Sequence, residues 1–406
     1  MFFRYAFYCC FLVAIPVAAF AETPLTEQVK NLIRTVQELQ EIVQNQQKEI
    51  ASLQQSTQTS LTEPKPVSTP FPSTTKQQAL SLRGKWNPDM GVVVDTVLKI
   101  DTPKADEEGA DRLSVRELEL VFGSNVDPFS RMDVALSFSD FEDSGVEEAY
   151  LTHFGLPWDI TTRIGRFKPK IGKALAKHRD SLDTVDEPLV IARYFGVEGL
   201  SKSGVDFVKL LDLPLDSTHE VSFGILEGGN GEDGSIFGES RRRPTAVAHL
   251  KNFFDFSDVS TGELGISYMT GASNSDSDFN VKIGGMDLTL LHHFNANQNM
   301  KFQSEFFYVD RGDAFTSWGM YAVLDFRLNS LWAAGIRLDK VELVGNPADN
   351  PENSDRGYTA YLTFYQSEFA RWRAQISRFE LSDGSEDNQL MLQGVFAIGE
   401  HKHKLQ

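Results

Sequence analysis

From about residue 86 onward, apolar and polar positions alternate with a period of two. That period is the mark of strands whose two faces meet different surroundings. Met132, Val134, Leu136 and Phe138 alternate with Asp133, Ala135 and Ser137. Val221, Phe223 and Ile225 alternate with Ser222 and Gly224, and Leu264, Ile266 and Tyr268 with Gly265 and Ser267. Near the end, Leu390, Leu392, Phe396 and Ile398 share one parity. Sixteen such segments are predicted, at 89–100, 111–123, 129–140, 145–154, 160–168, 203–212, 218–226, 243–252, 259–270, 279–293, 298–309, 314–327, 330–341, 355–367, 370–381 and 387–398. Most have the length a tilted strand needs to cross a bilayer, roughly 9–11 residues. An even count with no helical pattern between strands predicts an all-β fold, a closed antiparallel transmembrane β-barrel of sixteen strands.

The connections support this. They alternate between long (101–110, 169–202, 227–242, 271–278, 342–354) and short (124–128, 155–159, 213–217, 295–298, 328–330), although 141–144 and 310–313 are short on the long side. Outer-membrane barrels show the same asymmetry, with long loops outside and tight turns on the periplasmic side.

The period changes before the barrel. Leu25, Val29, Leu32, Val36, Leu39, Val43, Gln46, Ile50 and Leu53 are spaced alternately four and three residues apart, a heptad seam. Ile33 and Ile42 flank the seam and widen the apolar stripe, which suits three helices better than two. Pro64, Pro66, Pro70 and Pro72 then stand among Ser, Thr and Gln, a composition that stays extended. The first residues carry one charge, Arg4, then an apolar run and Ala19-Phe20-Ala21, a small-x-small cleavage site. The chain therefore reads as a signal peptide (1–21), a coiled coil (22–53), a Pro/Ser/Thr-rich linker (54–85), a transmembrane barrel (86–400) and a polar tail (401–406).

Composition narrows the function. The net charge is −18 at pH 7, which argues against nucleic acid as a partner. Both cysteines, Cys9 and Cys10, lie in the signal, so no disulfide, thiol nucleophile or Cys-based metal site is expected. Thirty phenylalanines fit a wall with an apolar outside.

The densest basic block follows strand five. Arg163, Arg166, Lys168, Lys170, Lys173, Lys177 and Arg179 precede Asp180, Asp183, Asp186 and Glu187. Facing cations and acids at a constriction set a field that sorts solutes, and rings of Arg or Lys favour anions. These seven are the candidate solute-binding residues. Arg241, Arg242 and Arg243 form a second block, whose simplest partner is anionic lipid headgroups. The long-side loops are acidic, with Asp106, Glu107 and Glu108, Glu232 and Asp233, Asp349, Glu352 and Asp355. The eight histidines show no H-E-x-x-H spacing and no G-x-S-x-G occurs, so no catalytic residue, cofactor or metal site is expected.

The layout and several stretches resemble the phosphate-selective porin O and P family. They are G-V-V-V-D-T (91–96), R-E-L-E-L-V-F (116–122), E-E-A-Y-L (147–151), I-G-R-F-K-P (164–169), E-P-L-V (187–190) and Q-L-M-L-Q-G-V-F (389–396). The resemblance implies a homotrimer in the cell outer membrane, in contact with membrane lipid and lipopolysaccharide, its coiled coil in the periplasm. It also implies a third loop folded into the lumen and passive diffusion of small solutes, including inorganic anions such as phosphate. A structural role, spacing the envelope through the coiled coil, is the alternative.

Overall fold

A computed structural model describes residues 88–102, 112–139, 143–197, 199–213, 217–229, 236, 243–272, 280–312, 316–343 and 354–399. The expected signal peptide, coiled coil, linker and tail lie outside the described residues.

Every alternating segment forms a strand. They are β1 Asp89–Thr102, β2 Arg112–Asp127, β3 Ser130–Ser139, β4 Asp143–Leu156, β5 Ile160–Phe167, β6 Lys202–Leu211, β7 Ser217–Leu226 and β8 Thr245–Ser257. Then come β9 Ser260–Ala272, β10 Asn280–Asn295, β11 Gln298–Asp310, β12 Thr316–Arg327, β13 Trp332–Glu342, β14 Ser354–Ser367, β15 Ala370–Glu380 and β16 Glu386–Gly399. Each pairs antiparallel with its sequence neighbours, and β1 pairs with β16, Val93 opposite Ala397, so the sheet closes. Closure leaves no unpaired strand edge, which a wall in hydrocarbon requires.

Alternation decides which side each residue faces. Outward positions such as Leu338, Ile376, Leu390 and Ile398 are exposed apolar side chains. Exposed Phe129, Phe154, Trp158, Phe256, Phe294, Phe369 and Trp372 ring the turn end. Tyr268, Tyr308 and Tyr358 are exposed nearer the loop end. Two aromatic belts around an apolar band are the surface of a membrane-spanning barrel.

Beyond smaller shifts of strand ends, such as β2 running to Asp127 rather than 123, the structure departs from the sequence reading in three places. β8 extends to Ser257, beyond the expected end at 252, and begins at Thr245, so Arg243 precedes it; Arg241 and Arg242 are outside the described residues. A helix, α1 Leu189–Phe195, stands between β5 and β6 where only strands and loops are expected. Pro188 opens it and Gly196, at φ 96°, ends it. Seven residues are too few for a periodic signal, and the helix is held by burial of Val190, Ile191, Tyr194 and Phe195. Asp355, read as a loop carboxylate, is a buried group of β14.

The main apolar core lies inside the barrel. Phe167, Ile171, Leu175, Val190, Ile191, Tyr194 and Phe195 pack against inward residues of β8 to β13, among them Val247, Met269, Ile283, Phe307, Tyr321 and Val341. These particular inward positions are apolar because they meet this loop rather than water.

Candidate functional site

The site is the third loop, residues 168–201, inside the barrel. β5 is the shortest strand, with 8 residues, because the chain leaves the wall at Phe167. Two features of I-G-R-F-K-P explain the exit. Gly165 has φ 136°, and a Cβ there would strike the carbonyl oxygen of Ala149. Only glycine accepts that backbone. Pro169 has no N–H to continue a ladder. Gly172, at φ 57°, then makes the bend that seats the loop against Glu305 and Phe307.

The wall grips this loop on all sides. Glu305 of β11 accepts hydrogen bonds from the backbone N–H of Lys173 (2.9 Å) and of Ala174 (2.7 Å). Asp339 of β13 accepts from the N–H of Leu189 at 3.0 Å, and Gln375 of β15 from that of Val185 at 2.7 Å. Arg116 of β2 donates to the Val185 carbonyl, and Tyr194 donates through its hydroxyl to the Glu342 carbonyl at 2.9 Å. Arg193 on α1 pairs with Asp355 of β14 at 2.8 Å. The loop thus crosses the lumen as a plug.

The seven sequence-nominated cations are placed as follows. Arg163 pairs with Asp206 of β6 and lies over the Phe167 ring at 4.4 Å. Lys168 pairs with Glu147 at 2.8 Å, Lys170 with Glu220 at 2.9 Å and Lys177 with Asp183 at 3.1 Å. Lys173 pairs with Glu263. Arg166 donates to the Val146 carbonyl at 2.9 Å and stands 3.7 Å from Glu227. Arg179 donates to the Val197 carbonyl at 3.0 Å. Much of the basic block is therefore matched to wall carboxylates, which explains why so many acids sit at inward positions. Only Arg166 and Arg179 of the seven line either cavity described next.

A polar cavity lies on each side of the plug. On the loop side, one of about 170 Å³ is lined by Glu117, Glu147, Arg166, Arg179 and Ser201. On the turn side, one of about 240 Å³ is lined by Lys301, Arg327, Arg371 and Arg373 with Asp183 and Asp325. Arg371 and Arg373 are the first inward residues of β15, on either side of outward Trp372. They are held by neutral groups: Arg371 donates to the Asp180 carbonyl, and Arg373 to the Leu182 carbonyl and the Thr363 hydroxyl, each at 3.0 Å. Arg327 donates to the Asn329 and Ser330 carbonyls and covers the Tyr365 ring at 4.1 Å. Four cations thus face two carboxylates. Sequence reasoning passed over this set because the four are dispersed on three strands; the signal was cations at inward parity, as in Arg371-Trp372-Arg373.

Within the loop, burial favours the neutral form of Asp183, but Lys177 and Lys301 outweigh it and hold its carboxyl well below the usual range. Burial also disfavours the His178 imidazolium. The carboxylates of Glu119, Glu147 and Glu148 against the ring outweigh this and raise its pKa well above the ordinary histidine value.

No protein-family model matches the chain. A protein of Aquifex aeolicus (strain VF5), itself uncharacterised, is 28% identical over 322 residues, 70% of this chain and 68% of that one. Among solved structures, the anion-selective porin of Comamonas acidovorans aligns with a TM-score of 0.53 at 10% identity, over 77% of this chain and 99% of that one. OmpT of Vibrio cholerae, in its trimer form, aligns at 0.51 with 12% identity, over 77% and 99% of the two chains. Salmonella typhi OmpF, bound to daunomycin, aligns at 0.53 with 10% identity, over 77% and 97%. The barrel has the porin fold.

Proposed function

We propose that the chain is an outer-membrane porin that lets small solutes diffuse past the third loop and favours anions, phosphate among them. One observation carries this reading: the plug leaves a polar cavity on each side, and four cations against two carboxylates line the one nearer the turns. A cavity with that balance attracts anions and repels cations. The aromatic belts support a membrane setting. The resemblance in I-G-R-F-K-P and its loop supports anion transport, and a trimer is the assembly recorded for OmpT. Membrane lipid and lipopolysaccharide would then surround the wall.

Planar bilayer recording on the refolded full chain tests this. Stepwise conductance in groups of three is expected, small for a barrel of this strand number because the plug fills the lumen. In a KCl gradient the reversal potential is expected on the chloride side, and millimolar phosphate is expected to reduce chloride current. Silence across salts defeats the channel, and a potassium-side reversal defeats the anion preference.

A further inference from the structure

Where the third loop meets β2 and β4, side chains distant in the sequence converge. His178 Nδ1 lies 3.2 Å from Glu119 Oε1 and 3.3 Å from Glu147 Oε2. All three atoms fall within 4.8 Å of one another. The two carboxylate oxygens are buried and have no hydrogen bond, and Glu119 is only 3% exposed. Buried oxygens left in that condition cost roughly 1–3 kcal/mol each, more when charged, and a metal ion at the point they face satisfies both oxygens and the ring nitrogen at once.

We infer that His178 Nδ1, Glu119 Oε1 and Glu147 Oε2 form a binding site for a divalent transition-metal ion of the zinc class, which pins the plug to the wall.

Three features support it. Metal bonds of about 2.1 Å at tetrahedral angles separate the donor atoms by about 3.4 Å, close to the 3.2 and 3.3 Å seen here. The other ring nitrogen, His178 Nε2, is hydrogen-bonded to Glu148 Oε2 at 3.3 Å. A carboxylate on the far nitrogen is the arrangement that orients a metal-bound imidazole, and a metal ion at the near nitrogen takes the place of the ring proton that faces Glu119 and Glu147. An entry route exists, since Glu147 also lines the loop-side cavity, which leaves room for water as a fourth ligand. One imidazole with carboxylates favours zinc-class ions over calcium, which takes six to eight oxygens. The charge balance agrees: Glu119, Glu147 and Glu148 surround His178, with Lys168 paired to Glu147 at 2.8 Å. The site was not apparent in the sequence because its ligands come from two strands and a loop and share no local spacing. It does not depend on the porin reading.

The test uses the refolded full chain, freed of metal with a chelator, with His401 and His403 replaced by alanine so that the tail does not compete. Titration calorimetry with Zn²⁺ is expected to show one site per chain. His178→Gln and Glu119→Gln preserve side-chain bulk and are expected to weaken binding by more than about a hundredfold, Glu148→Gln by about tenfold. Co²⁺ in place of Zn²⁺ is expected to give visible absorption that His178→Gln removes. Heat-modifiable gel migration shows that each variant keeps its barrel. No saturable Zn²⁺ binding by the parent, or binding unchanged in folded His178→Gln and Glu119→Gln, overturns the site.

Discussion

Arg337, fully buried on β13, holds the Asp186 carboxylate of the third loop at 2.9 Å. The same guanidinium donates to the Asp186 carbonyl at 2.8 Å and to the Thr184 hydroxyl, so one side chain joins the loop to the wall through three loop groups, and Asp339 of its own strand accepts from it at 2.7 Å. Breaking such a pair strands its partners as uncompensated buried charges. Arg337→Ala is expected to cost about 3–5 kcal/mol, and Arg337→Lys less, because a lysine keeps the charge but loses the planar fork. Denaturant unfolding in detergent measures both. The same variants are expected to show noisier current as the loop loosens.

The apolar half of the seat is tested at Phe195. Its ring meets Phe307 edge-on at a centroid distance of 5.4 Å, within the lumen core. Phe195→Ala opens a cavity there and is expected to cost about 3–5 kcal/mol. Phe195→Leu fills part of the space and is expected to cost less. Thermal melting ranks the two, and equal stability of Phe195→Ala and wild type would contradict the packed lumen.

On the proposed reading the turn-side cations set the anion preference. Removing one charge from a partly screened cavity changes the energy of a passing anion by about 1 kcal/mol, roughly fivefold in permeability ratio. Arg371→Gln and Arg373→Gln are each expected to move the reversal potential toward potassium by that amount, and the double variant further. Lys170→Gln, whose charge is already matched by Glu220 at 2.9 Å, is expected to change it much less.

Asp183 gives the plug an acid limit. Its carboxyl is held well below the usual range by Lys177 and Lys301. A depressed carboxyl contributes stability that is complete above the unfolded pKa, about 3.9, and is lost as pH falls through the folded value. Asp183→Asn is therefore expected to destabilise the protein at pH 7, by about 2 kcal/mol given partial solvent access. The difference from wild type is expected to shrink steadily below about pH 4. A difference that grows on acidification would refute the assignment. Unfolding curves at pH 7, 4 and 3 read it directly.

Much of the wall was legible residue by residue. Val221, Phe223 and Ile225 alternate with small or polar groups, and β7 runs Ser217–Leu226 around them. Strand ends were less legible where strict alternation breaks, as in β8 at the adjacent Phe253 and Phe254 before its end at Ser257. The basic block was also visible, but not what it touches. Lys168, Lys170 and Lys173 look alike in the sequence, yet they meet Glu147, Glu220 and Glu263 on three different strands.

The sequence by itself determined the barrel, because alternation with period two is a local property and each turn follows from the few residues that make it. It also determined where the chain leaves the wall, since Gly165 and Pro169 act within their own peptide units. Only the tertiary structure decided that the third loop is a plug. Its seat is built from Arg116, Glu305, Arg337, Asp339, Asp355 and Gln375, which closure of the sheet brings around one loop. The same closure sets His178 against Glu119 and Glu147, and gathers Lys301, Arg327, Arg371 and Arg373 around one cavity. Those juxtapositions depend on register and curvature summed over sixteen strands, which no local pattern encodes.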